Sequence, residues 1–371
     1  MNPIIDFFNS SFPITISLYC ILLVSVVVIT TLLSKLCVIL KEKAHLSDGV
    51  VAGLLLGVIT SLPELVTCIA SILVHKTGSL GFGDIIGSNI FDIFILAVCL
   101  LACVWMFRKH KANQVNTMTL VFTGVGTIFV LLAMMLDYLV PEFIKQCHGF
   151  NIMSILILIS YGASIFFMTR GAKVKTNSKE GLTEIKQAKQ SRLFKLNLGW
   201  VITLIAIVSI ILIACAVFLT FTSESLIFHH WSSVFGTEEK ASFGGALLLG
   251  VVTSLPEIVC CINLCIHKEY NMVIDTIVGS TSFNLSILTI ANIVYACLTQ
   301  QAGTMYDWNS YNLTQVIVGI VMIVAMIAYL VANSNKYKNK LKDRQILAIN
   351  ISLLSLVVIA YIVFLVLGFI K

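Results

Sequence analysis

Apolar runs of about twenty residues or more recur along the whole chain. They lie at 14–40, 49–74, 79–106, 117–139, 151–169, 196–222, 241–266, 271–298, 312–332 and 346–370. A helix of roughly twenty apolar residues crosses the hydrocarbon of a bilayer. No water reaches the backbone there, so a spanning chain is either helical or a closed barrel. Barrel strands would appear as short segments of alternating polarity, and this sequence shows none. The expected fold is therefore an all-α polytopic membrane protein with ten transmembrane helices. Only 11% of the 371 residues are charged, about half the share found in soluble domains. The first run follows Pro13 with no basic residue before it and no small-residue cleavage site, so it reads as a span rather than a signal peptide.

The 24 basic residues set an orientation. With the N-terminus outside, the cytoplasmic side holds Lys35, Lys41, Lys43, Arg108, Lys109, Lys111, the basic stretch from Arg170 to Lys195, Lys268 and the stretch from Lys336 to Arg344. Only Lys76, Lys145, Lys240 and Lys371 remain for the other side. Basic residues in short loops stay in the cytoplasm, so an even number of spans with both termini outside is expected. This topology accounts for the net charge of +6, and no nucleic-acid partner is needed to explain it.

The polar segment 170–195 divides the chain into a first five-helix repeat, 1–169, and a second, 196–371. Each half holds one copy of an unusual phrase. "LLLGVITSLPE" runs from Leu54 to Glu64, and "LLLGVVTSLPE" from Leu247 to Glu257. The likeness continues in the next span, where "DIIGSNIFD" begins at Asp84 and "TIVGSTSFN" at Thr276. Five is odd, so the second half enters the membrane from the opposite side. That is the inverted repeat of secondary transporters, whose sites form between the repeats near the midplane.

Pro63 and Pro256 supply no backbone N–H and break a helix. Breaks are expected near Thr60 and Thr253, with carbonyls freed beside a glutamate. Within a bilayer, freed carbonyls are tolerated only in a protein interior or a wet cavity. Oxygen ligands of this kind suit hard cations. Glu64, Glu257, Asp92 and, less deeply, Asp275 lie inside spans, Asp84 nearer a span end, and no mid-span Lys or Arg offers a partner. Intramembrane carboxylates are costly and mark function; unpaired, they bind a cation or a proton. Ser61, Ser88, Ser254 and Ser280 add hydroxyl oxygens, with Asn89 as a further network member. Asp84 and Asp275 are left open between this role and helix-end capping. The cysteines are scattered and read as small packing residues. "GFGD" at Gly81–Asp84 matches the aspartyl intramembrane protease string, but Asp92 falls on the same helix, and no nucleophile–base set is visible. An enzyme is not expected, nor a bound cofactor.

With "GVITSLPE…GSNIFD" and "GVVTSLPE…GSTSFN" the chain resembles the Ca²⁺/cation antiporter superfamily, of the prokaryotic sodium/calcium exchanger type. Its two inverted α-repeats, G-x-x-T-S-x-P-E then G-S-N-x-x-N/D, would cover about 49–106 and 241–298. The resemblance implies a central ion site of Glu64, Glu257, Asp92 and Asn284 with the Thr60 and Thr253 carbonyls. It also implies flanking Na⁺ positions at Ser61, Ser88, Ser254 and Ser280, and spans one and six that slide against the other eight. In the family the first repeat usually ends in Asn and the second in Asp; here Asp92 and Asn284 are exchanged, which keeps three carboxylates. "GSTS" also loses one amide. The function expected is Na⁺/Ca²⁺ exchange by alternating access, in a prokaryotic cell membrane, by a monomer. H⁺/Ca²⁺ exchange, or exchange involving K⁺, is the nearest alternative. A cation channel is the alternative from another class, and the duplicated broken helices argue for gating from both sides instead.

The orientation has a direct test. Lys179→Cys and Lys340→Cys should each add labelling by an impermeant thiol reagent in inverted vesicles only. New labelling in right-side-out vesicles would refute the N-out, ten-span topology.

Overall fold

The computed structural model describes residues 11–75, 79–109, 124–125, 127–128, 131–132, 135, 152–170, 192–226, 247, 250–267, 269–299, 310–333 and 343–370. Every regular element among them is helical. The first helix, α1, is Phe12–Ala44. A π-helical segment, Gly49–Leu56, leads into α2 (Gly57–Thr60) and α3 (Leu62–His75). Then come α4 (Ser79–Lys109), α5 (Ile152–Arg170), a short 3₁₀ segment Arg192–Lys195, and α6 (Leu198–Ser225). The second half continues with α7 (Gly250–Thr253), α8 (Leu255–Ile266), α9 (Tyr270–Thr299), α10 (Ser310–Ala332) and α11 (Asp343–Ile370).

Among the described residues, 7 helices are long and apolar enough to cross a membrane. They coincide with the expected first, second, third, sixth, eighth, ninth and tenth spans. Helices α5 and α8 fall on the fifth and seventh. Most of the expected fourth span, 117–139, lies outside the described residues, as does most of the linker 170–195. The chain is a multi-pass integral membrane protein.

Helix α1 has 33 residues, about 50 Å at the α-helical rise, so it overruns a single bilayer core. Lys41 and Lys43 occupy its last turn, where basic charge complements the negative helix end. His45 closes it in the left-handed conformation, φ 51°, and the Leu46 N–H donates to the Lys41 carbonyl at 3.1 Å.

Helices α4 and α9 form the centre and are the most buried of the long helices. They pack on each other; α4 also meets α3, α7, α8, α10 and α11, and α9 meets the π-helical segment, α2, α3, α5 and α8. Helices α1 and α6 lie along one another at the edge. Their outer faces, with Ile21, Val28, Ile202 and Ile210, are exposed. In water that surface would aggregate, whereas lipid tails accept it at no cost.

The two halves make matched contacts. Phe91 of α4 packs on Tyr361 of α11 with ring centroids 5.7 Å apart, and Phe283 of α9 packs on Tyr161 of α5 at 5.9 Å. Gly57 and Gly250 permit the central crossings. A methyl group on Gly57 would sit 2.8 Å from the Ser280 nitrogen; on Gly250 it would sit 2.9 Å from the Ser88 nitrogen. Each copy of the repeated phrase thus lies against the Gly-Ser of the other half.

These crossings predict a contrast. Gly57→Ala and Gly250→Ala press a methyl into backbone and should each cost about 1–3 kcal/mol. Gly162→Ala and Gly199→Ala, which meet nothing within 4 Å, should be neutral or slightly stabilising. Thermal unfolding of the detergent-purified variants checks this, and four equal effects would refute it.

Candidate functional site

The repeated phrase interrupts its helix at Ser61 (φ −93°, ψ 4°) and at Ser254 (φ −76°, ψ 5°). Each proline falls in the first turn of the helix that restarts there, where an N–H has no intrahelical acceptor to lose. Glu64 and Glu257 sit in the same first turns. Acidic groups there complement the positive helix end.

The first break is bridged by the Ser61 N–H donating to the Gly57 carbonyl at 3.3 Å and the Leu65 N–H donating to the Ser61 carbonyl at 3.3 Å. Ser254 to Gly250 (3.2 Å) and Ile258 to Ser254 (3.0 Å) bridge the second. The carbonyls that lose a donor to proline are those four residues back, Ile59 and Val252. They lie one position before the threonines expected from the sequence. Among the described residues, no backbone bond from Glu64 reaches the Thr60 carbonyl either. The Thr60 hydroxyl donates to the Leu56 carbonyl at 3.0 Å.

Two oxygen-rich groups form where the halves cross. In one, Ser280 of α9 is the hub. Its hydroxyl lies 2.8 Å from that of Ser61, 3.1 Å from Asp92 Oδ2 and 3.3 Å from Glu257 Oε1. Ser61 also reaches Glu257 Oε1 at 3.2 Å. In the other, the Thr253 hydroxyl donates to Asp84 Oδ1 at 3.1 Å and lies 3.1 Å from the Ser88 hydroxyl. Ser88 is 3.3 Å from the Gly250 carbonyl. Between the central helices, the Asn284 amide donates to Asn89 Oδ1 at 3.0 Å, and the Asn89 amide to the Thr281 carbonyl at 3.3 Å. Ser254 stands beside Asp92. All ten residues named from the motifs are buried, namely Thr60, Ser61, Glu64, Ser88, Asp92, Thr253, Ser254, Glu257, Ser280 and Asn284.

Several of these oxygens are left without protein donors. Among the described residues, both Glu64 oxygens, Asp92 Oδ1, Glu257 Oε2 and Asn284 Oδ1 accept no hydrogen bond. Lys41 does not serve them, because it pairs with Asp48 at 2.9 Å and Glu269 at 2.8 Å. A buried anion without a partner is very costly, so the arrangement calls for a cation or a proton. Among the described residues, no three His, Cys, Asp or Glu side chains alone form a metal cage. An ion held here would draw on hydroxyl, amide and carbonyl oxygens as well, a donor set suited to hard cations.

The sodium/calcium exchanger protein family model matches residues 14–170 and 200–369. This chain belongs to the sodium/calcium exchanger protein family. That is a family of membrane transporters. Solved structures of the sodium-calcium exchanger NCX_Mj have the same fold. One, soaked with 2.5 mM Na⁺ and 10 mM Sr²⁺, matches with TM-score 0.59 and 13% identity over 95% of this chain and 99% of that one. Another, soaked with 100 mM Na⁺ and 10 mM Sr²⁺, matches at 0.59 and 14% identity over 94% and 97%. The H⁺/Ca²⁺ exchanger CAX matches at 0.59 and 10% identity, over 98% of this chain and 93% of that one. No curated protein matches the chain.

Within this family member, the structure separates the two aspartates that the sequence left open. Asp84 joins the Thr253–Ser88 group. Asp275 instead neighbours Asp48 and Lys41. The spacing of Asp84 and Ser88, four residues apart on one helix face, was the available signal. Nothing in the sequence marks the cross-pairing of Asn89, which spends one amide on both Asn284 and Thr281.

The hub serine has a clear expectation. Ser280→Ala removes the hydroxyl shared by Ser61, Asp92 and Glu257, and should lower ion flux in proteoliposomes about tenfold or more. Ser286→Ala, whose hydroxyl among the described residues bonds only the Ser282 carbonyl of its own helix, should transport normally. Equal flux from both variants would remove Ser280 from the site.

Proposed function

We propose that this chain is a secondary active antiporter that exchanges Na⁺ for Ca²⁺ by alternating access. The observation that carries this reading is the set of buried carboxylate oxygens on Glu64, Glu257 and Asp92 that have no protein donor among the described residues, set among hydroxyls from both halves of the chain. The central site comprises Glu64, Glu257, Asp92 and Asn284 with the carbonyls around Thr60 and Thr253. Ser61, Ser88, Ser254 and Ser280 flank it as Na⁺ positions. Ca²⁺ takes six to eight oxygens, several of them carboxylate, and Na⁺ is satisfied by fewer charges and more neutral oxygens. When neither ion is bound, ionised carboxylates stay unpaired in a low-dielectric interior, and that state crosses the barrier poorly. Exchange rather than leak follows.

The reading includes ten spans as two inverted five-helix repeats, with both termini outside a prokaryotic cell membrane. Helices α1 and α6, which lie along one another at the protein's edge, are the moving pair. The protein works as a monomer, and no cofactor is required.

Ca²⁺ uptake into proteoliposomes, with outward Na⁺, K⁺ or H⁺ gradients imposed one at a time, tests the proposal. Uptake should follow the Na⁺ gradient. Uptake driven by the H⁺ gradient alone would replace Na⁺ with H⁺, and single-channel currents would replace exchange with conduction. Glu64→Gln and Glu257→Gln each delete one charge at little steric cost. Each should abolish Ca²⁺ uptake while the protein still elutes as a folded species. Normal uptake by either variant would overturn the central-site assignment.

A further inference from the structure

We propose that Asp84 binds a monovalent alkali cation of Na⁺ size on one flank of the site, so that the two flanks carry unequal charge. This rests on the antiporter reading above and adds to it a ligand at the start of the second repeated motif, where the other copy has Thr276.

The two crossings match in backbone geometry. A methyl on Gly57 would lie 2.8 Å from the Ser280 nitrogen and 3.1 Å from the Thr276 carbonyl oxygen; on Gly250, 2.9 Å from the Ser88 nitrogen and 3.3 Å from the Asp84 carbonyl oxygen. Asp84 and Thr276 thus hold equivalent places, each one turn ahead of the Gly-Ser serine on the same helix face. Their side chains behave differently. The Thr276 hydroxyl donates to the Met272 carbonyl of its own helix at 2.7 Å and, among the described residues, makes no hydrogen bond across the crossing. Asp84 Oδ1 accepts from Thr253 of the other half at 3.1 Å. The Thr253 hydroxyl lies 3.1 Å from Ser88, and Ser88 lies 3.3 Å from the Gly250 carbonyl.

One carboxylate, two hydroxyls and one carbonyl therefore gather on this flank, all in buried residues. On the opposite flank the hydroxyls of Ser61 and Ser280 are committed to Glu257 and Asp92. A single negative charge among neutral oxygens balances one positive charge. A divalent ion would be left under-compensated, since Ca²⁺ sites usually gather several carboxylates. Glu64 is fully buried and both its oxygens lack partners among the described residues.

Thermal unfolding of the full-length protein in detergent tests the assignment directly. NaCl is titrated against choline chloride at constant ionic strength, and CaCl₂ is titrated separately, for wild type, Asp84→Asn, Asp84→Thr and Asp84→Glu. Asp84→Thr reproduces the residue at the equivalent place, and Asp84→Glu keeps the charge should the neutral variants fold poorly. Loss of a charged ligand should raise the Na⁺ midpoint about tenfold or more in Asp84→Asn and Asp84→Thr. Asp84→Glu should stay closer to wild type, and the Ca²⁺ midpoint should move far less than that of Na⁺. An unchanged Na⁺ midpoint in Asp84→Asn, an equal shift for both ions, or a wild type that Na⁺ does not stabilise would each overturn the proposal. A shifted Na⁺ midpoint in a protein whose wild type moves no Ca²⁺ would overturn the antiport reading and leave Asp84 as a cation ligand.

Discussion

The structure depends on a charge imbalance in a place that tolerates none. Glu64, Asp84, Asp92 and Glu257 are buried among apolar helices, and Lys41 is committed to Asp48 and Glu269. At a separation of about 4 Å, two like charges repel by about 4 kcal/mol even at an effective dielectric constant near 20. Whole domains are stable by only about 5–15 kcal/mol. The fold therefore survives only with protons or cations on these groups. Whatever binds there stabilises the folded state by mass action, so ion binding and folding are one equilibrium viewed from two sides.

The rest of the fold brings the two copies close enough to share that imbalance. Close approach of helices in lipid requires small residues, because there is no hydrophobic force to press bulkier ones together. Gly57 against Ser280 and Gly250 against Ser88 meet that need. Neither half completes the site alone. Ser61 and Glu257 share a bond across the halves, as do Ser280 and Asp92, and Thr253 and Asp84. The aromatic pairs Phe91–Tyr361 and Phe283–Tyr161 then brace the two central helices from equivalent directions.

Much of this was legible in the sequence because each legible feature is local. Apolar length announces a span, and proline announces a break, expected near Thr60 and Thr253 and found one residue later, at Ser61 and Ser254. A duplicated phrase with a glutamate announces a paired site. Most of the unforeseen features are relations between distant residues. The Asn89 amide bonds to Thr281, and Asn284 bonds to Asn89; these partners follow from how α4 crosses α9. The approach of α7 to α4 puts Thr253 beside Asp84, while Asp275 of α9 lies near Lys41 of α1. The π-helical turn Gly49–Leu56 was equally invisible, since its sequence, GVVAGLLL, carries no signal for a wider winding. Such segments interrupt α-helices often at functional sites, and this one ends at the glycine that makes the crossing possible.

Symmetry of the backbone and asymmetry of the side chains serve different ends. Under the proposed mechanism, matched backbone crossings let the site face either side of the membrane with the same ligands in reach. A perfectly matched ligand set would make the two flanks equivalent, and ions would have no reason to occupy them in order. The exchange of Asp and Asn between positions 92 and 284, and of Asp and Thr between 84 and 276, removes that equivalence. Of these four, only Asp92 and Asp84 have acidic side chains, and both lie on α4. At these matched positions the acidic groups thus lie on one central helix, while α9 offers neutral oxygens there and holds its own carboxylate, Asp275, near Asp48 and Lys41. An entering cation would be drawn toward α4 first. The order of binding would then be set by which helix holds the carboxylates, without any change in the shape of the site.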